Sequence, residues 1–128
     1  MSEFRTMDEA LERIRERDGR YDERAYLFVL AALEYSQSRL PERRHITGQE
    51  LSHACRDLAL EHYGLMALTV LKHWGVATTQ DLGRIVFTLI DVGLLAKQAT
   101  DRIEDFEGVY DFAEAFEAGY RWPGEPPA

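Results

Sequence analysis

Three of the four histidines and the only cysteine of the 128-residue chain fall within "HITGQELSHACRDLALEHYG", His45 to Gly64, so metal ligation is the first chemistry to test. A helix brings residues four apart to one face, as in H-E-x-x-H zinc sites, whereas residues seven apart share a face but stand about 10 Å apart along the axis. Cys55 and His62 are seven apart. At 100° per residue His53 points about 180° away from His62 and about 200° from Cys55, so no two of these close on one ion from one helix. His45, ahead of the helix, and His73, from a different segment, leave open a site assembled across elements, without the short repeated ligand spacing of a zinc motif. The expectation is no metal and no cofactor.

The same stretch reads well as an amphipathic helix. Leu51, Ala54, Cys55, Leu58, Ala59 and His62 form one stripe, with Gln49, His53, Arg56 and Asp57 opposite. Cys55 is then a small core residue in poor surroundings for an activated thiolate, and His62 ends the core-facing stripe in the last turn. Carboxylates at 101, 104, 105, 107, 111, 114 and 117 invite a calcium or paired-acid reading. "DRIEDFEG" lacks the D-x-D-x-D-G order of an EF-hand, and solvated charge accounts for the run. No G-x-S-x-G, P-loop or dinucleotide glycine pattern occurs, so no catalytic residues are expected and the chain is read as no enzyme.

The elements that carry these residues are marked by caps and stops. "TMDEALERIRERDGR" has a Thr6 or Asp8 cap, apolar Ala10, Leu11 and Ile14, and a stop at Gly19. Asp22 caps a strongly apolar helix at about 23–39, followed by the basic loop "PERRH". Thr47 and Glu50 form a capping box for the next helix, which stops at Gly64. "LMALTVLKHWG" reads as a further helix, and Thr78 or Thr79 caps "QDLGRIVFTLIDVG", which ends at Gly93. In "LLAKQATDRIEDFEGVYDF" the apolar spacing loosens towards alternation, predicting two short strands with a turn at Asp101 to Glu104.

The expected fold is therefore mainly α (α+β), five to six helices with a winged-helix-like C-terminal half carrying a two-stranded β-ribbon. One domain over 1–120 is predicted: a helical arm at 1–20, central helices at 21–64 and the winged-helix-like half at 65–118. Residues 121–128, "RWPGEPPA", read as a disordered tail. Hydrophobic content of 45% with 30% charged residues describes a globular chain. No apolar run of membrane-spanning length, no signal-like N-terminus and a lone cysteine predict a cytoplasmic protein without membrane contact.

In a winged helix the segment from Thr79 to Val92 would read DNA, with Gln80, Asp81, Arg84, Thr88 and Asp91 on its outward face. One arginine against two aspartates suits phosphates poorly. Residues 65–120 carry 4 basic and 9 acidic side chains of a chain with net charge −8, so nucleic acid is disfavoured. The candidate contact surface is Gln80, Asp81, Arg84 and Thr88, with His45 and the exposed His53, facing a protein partner or a second copy. A nucleic-acid regulator using this helix or Arg39, Arg43 and Arg44 is the alternative, and a metal- or carboxylate-dependent enzyme the third reading.

The words "YDERAYLFVLAALEY", "RHITGQEL", "LKHWGV", "TTQDLGRIVFTLIDVGLL" and "DFEGVYDF" together resemble a family of small bacterial proteins without an assigned function, over about Tyr21 to Phe116. The resemblance implies a bacterial, cytoplasmic, single-domain protein. It carries over no catalytic residues.

Overall fold

The computed structural model describes residues 6–96 and 102–118. Five α-helices follow in order: α1 (Met7–Arg17), α2 (Glu23–Ser38), α3 (Gly48–Tyr63), α4 (Ala67–His73) and α5 (Thr79–Asp91). Four of them start at side-chain caps. Thr6 Oγ1 accepts from the Glu9 amide at 3.2 Å, and Asp22 Oδ1 from the Arg24 amide at 2.9 Å. Thr47 and Glu50 bond reciprocally at 3.1 Å in each direction, as Thr78 and Asp81 do at 3.2 and 3.1 Å. Each such cap satisfies amides that have no partner within the helix, a contribution of about 1 kcal/mol. The predicted helix after Gly64 is split: a 3₁₀ turn over Gly64–Met66 leads into α4.

α2 lies at the centre, against α3 on one side and α5 on another. Ala25, Tyr26, Phe28, Val29 and Ala32 on this helix are buried, but Leu27 and Ala31 reach solvent, so its apolar circumference is not wholly enclosed. Tyr26 is 1% exposed and donates its hydroxyl to the Asp18 carbonyl at 2.9 Å, tying the end of α1 to the core. Phe28, Tyr63 and Trp74 pack ring to ring where α2, α3 and α4 meet.

The expected β-ribbon is not present: among the described residues there is no strand. Ile103–Phe106 form a 3₁₀ turn, and a short helical turn closes the described chain, π-helical over Glu114–Ala118. Backbone bonding is local, from Asp105 N to Arg102 O and from Glu107 N to Glu104 O, with no partner strand. The loose apolar spacing has another cause. Phe106, Phe112 and Phe116 are buried anchors that fasten an irregular segment across the helices. The protein is thus all-helical among the described residues, and the winged-helix-like half falls with the ribbon. Lys97 to Asp101, the middle of the expected ribbon, and the tail at 121–128 lie outside the described residues. No helix among those described is long and apolar enough to cross a membrane.

Two smaller expectations also change. His62 is exposed rather than core-facing, set edge-on to Tyr63 at 5.9 Å between centroids. Thr88 is only 6% exposed, because α5 packs against α1, α2, α3 and the 3₁₀ turn and so presents a narrow outer strip.

Candidate recognition groove

The loop between α2 and α3 is held flat on α2 by polar side chains. Gln37 accepts from the Arg44 amide at 3.2 Å and donates to the Arg44 carbonyl. Arg43 forks onto Glu34 of α2 at 3.0 and 3.2 Å. Arg44 forks onto Glu50 of α3 at 3.0 and 2.7 Å and also donates to the His45 carbonyl at 2.8 Å. The Arg44 fork, followed by the Thr47 amide, holds the Glu50 carboxyl down at about 2 from its usual 4.5. The Glu34 carboxyl is lowered by Arg43 in the same way.

Across from this loop sits Phe106, 4% exposed, seated over two glycines. A Cβ on Gly83 of α5 would stand 2.8 Å from Phe106 Cβ, and one on Gly48 at the start of α3 would stand 2.9 Å from Asp105 Cβ and 3.0 Å from the Phe106 ring. Glycine is required at both places because the aromatic side chain approaches the helix backbone too closely for any β-carbon. Further along, Val109 N donates to Thr79 Oγ1 at 3.2 Å and the Tyr110 hydroxyl to the Ser52 carbonyl at 2.7 Å. Burial above all pushes the Tyr110 phenol well above its usual range, so it remains a donor.

Between the pinned loop, α2, α5 and the 3₁₀ turn runs a groove of about 390 Å³. Its floor and walls include Leu33, Ile46, Leu51, Val86, Ile90 and Phe106. Its rim is polar, with Arg43, Arg44, His45, Arg102 and Asp105. All but Asp105 of these rim residues are exposed, so the groove is open along one side.

Of the residues expected to form one contact surface, His45 alone lines this groove. Gln80 and Arg84 are exposed on α5. Asp81 is taken up in a lock between elements: Oδ1 accepts the Tyr21 hydroxyl at 2.6 Å, and Oδ2 accepts the Ala77 and Thr78 amides at 2.9 and 3.1 Å. Thr88 is buried, and His53 lies against the Tyr110 ring at 5.7 Å between centroids, with the Arg56 guanidinium 5.9 Å from the same ring. The six do not meet. Leu33, Gln37, Arg102 and Phe106 shape the groove and were absent from the sequence-based set. The legible signal was a glycine inside each of two helical patterns, which marks a close approach by something unseen.

The arrangement offers apolar surface beneath oriented guanidinium donors. Cys55 is 2% exposed, and burial pushes its thiol up to about 12. Among the described residues, no group of three or more His, Cys, Asp and Glu side chains could hold a metal ion. Comparison with known proteins finds no match among family descriptions, curated proteins or solved structures.

Proposed function

We propose that this chain is a non-enzymatic interaction domain whose recognition site is the groove between the Arg43–Gly48 loop, α2, α5 and the Ile103–Phe106 turn, and whose partner is another protein. The observation that carries the reading is an apolar floor under an open rim of oriented arginines. Grooves of this kind accept anchor side chains from an amphipathic segment, with the polar rim fixing its register. A volume of about 390 Å³ has room for one or two large apolar side chains and is within the ~300–1,000 Å³ range of binding sites. A cytoplasmic setting and membership of the small bacterial family suggested by "RHITGQEL" and its companion words belong to the same proposal.

Nucleic acid suits this rim less well. Two of its three guanidiniums are already forked onto Glu34 and Glu50, and a phosphate chain gains affinity only from cations whose charge is not cancelled nearby.

The test is a photo-crosslinking residue at position 90, on the groove wall, against one at position 12, exposed on α1. A protein adduct is expected from position 90, absent from position 12 and lost when Leu33→Gln is added. No adduct at 90, or the same adducts at both positions, contradicts the reading.

A further inference from the structure

We infer that residues 102–116 form a strap that unlatches from the helices as one unit, ahead of global unfolding, and that one side of the groove comes and goes with it. The consequence for recognition rests on the groove being the recognition site; the unlatching itself does not. Attachment is the first ground. Among the described residues, the backbone–backbone bonds of the strap join it only to itself: Asp105 N to Arg102 O, Glu107 N to Glu104 O and Ala115 N to Asp111 O. The helices hold it through side chains, with Phe106 seated over Gly48 and Gly83, Val109 N on Thr79 Oγ1 at 3.2 Å and the Tyr110 hydroxyl on the Ser52 carbonyl at 2.7 Å. An irregular segment ordered without a backbone ladder to its neighbours loses chain entropy at every residue, and such segments lie at the low-stability end of native openings.

Cohesion is the second ground. Tyr110 stacks on Phe112 at 5.7 Å between centroids and meets Phe116 edge-on at 6.1 Å, and Phe112 meets Phe116 at 5.1 Å. Asp105 Oδ2 accepts the Arg102 amide at 3.3 Å, and Asp111 Oδ1 accepts the Glu114 amide at 3.1 Å. The strap thus has its own small aromatic cluster and its own caps. Lifting one ring from the helices breaks its contacts with the others unless they follow, which makes the opening a single event.

Charge is the third. Glu104, Asp105, Glu107, Asp111 and Glu114 against Arg102 give the strap −4, which leaves −4 on the rest of a chain whose net charge is −8. Like charge on both sides works against docking, and salt screens it. The Arg56 guanidinium, 5.9 Å from the Tyr110 ring, is already paired with Asp57 at 3.0 Å. Arg102, Asp105 and Phe106 line the groove, so the groove loses that side when the strap lifts, and whatever seats against Phe106 holds the strap down.

Native-state amide hydrogen exchange of the full chain reads this with no ligand present, so its outcome leaves the groove reading to the crosslinking test. The amides of Asp105, Glu107, Val109 and Ala115 should exchange through one common opening, about tenfold or more faster than the central amides of α2, which open only with the whole fold. Tyr26→Phe removes a bond between α2 and the end of α1, and should speed the α2 amides about fivefold while leaving the strap amides unchanged. Tyr110→Phe removes a bond broken in either opening and should speed both sets about fivefold. Raising salt from about 20 to about 300 mM should slow the strap amides about twofold or more. Strap amides that exchange at the α2 rate and accelerate with it in Tyr26→Phe overturn the separate opening, and unrelated rates among the strap amides overturn the single unit. Strap amides that salt accelerates overturn the charge ground.

Discussion

Phe106 has two faces with opposite surroundings. One closes over Gly48 and Gly83 so tightly that neither position has room for a β-carbon. The other forms part of the wall of an open groove of about 390 Å³, rimmed by arginines. The filled face is a fold-holding joint, where interactions are already complete and any change in volume costs stability. The open face keeps apolar surface and charged donors available, which contributes little to folding and is what a recognition site needs. Stability and binding are therefore expected to separate by side of the same residue.

The largest effect should come from emptying the joint. Phe106→Ala removes an almost fully buried ring and is expected to cost about 3–5 kcal/mol in urea unfolding, through lost burial and the cavity left between α3 and α5. A loss below about 1 kcal/mol would show that the ring is not seated there. Overfilling the joint comes next. Gly83→Ala places a methyl group 2.8 Å from Phe106 Cβ and is expected to cost about 1–3 kcal/mol. In the double variant with Phe106→Ala the ring contacts at 2.9 and 3.0 Å are gone while the Cβ contact at 2.8 Å stays, so the two costs should fall short of additive by part of the Gly83→Ala cost, whereas full additivity would separate the two sites.

Local signals explain how much of this was legible. The Thr47–Glu50 box, the Asp22 cap and the stop at Gly64 act within a few residues of sequence, and α2 and α3 start where those residues say. The segment after Leu94 was misread because Phe106, Tyr110, Phe112 and Phe116 are spaced irregularly along a segment that packs across α3, α4 and α5, and such spacing imitates loose alternation. Thr88 looked outward on an isolated helical wheel, but four neighbouring elements cover α5. His45, singled out in the sequence, lines the groove, but the groove itself depends on Leu33, Ile90 and Arg102, residues far apart in sequence that only tertiary packing assembles.

A smaller effect distinguishes the two sides of the rim. Glu50 is held at about 2, below its usual 4.5, so its contribution to stability is complete above about pH 4.5 and is lost as pH falls through about 2. Glu50→Gln should flatten the acid side of the stability profile in that window, with the depressed Asp22 carboxyl still contributing, and an unchanged profile would show that the Arg44 fork does not form. The smallest effect is expected at Arg102. Arg102→Gln, at an exposed side chain, should leave stability in urea within about 0.5 kcal/mol of the parent chain. A large loss of stability would make Arg102 a structural residue rather than part of an open rim.

The most direct measurement is amide chemical-shift mapping of the labelled full chain titrated with an amphipathic peptide of about 15 residues, with Leu at i, i+3, i+4 and i+7 and Gln at the flanking positions. Saturable shifts clustered at Leu33, Arg44, Ile46, Ile90 and Arg102, with α1 and α4 unmoved, are the predicted result. Shifts centred on α1 or α4, or none at saturating peptide, would contradict the groove as the site of recognition.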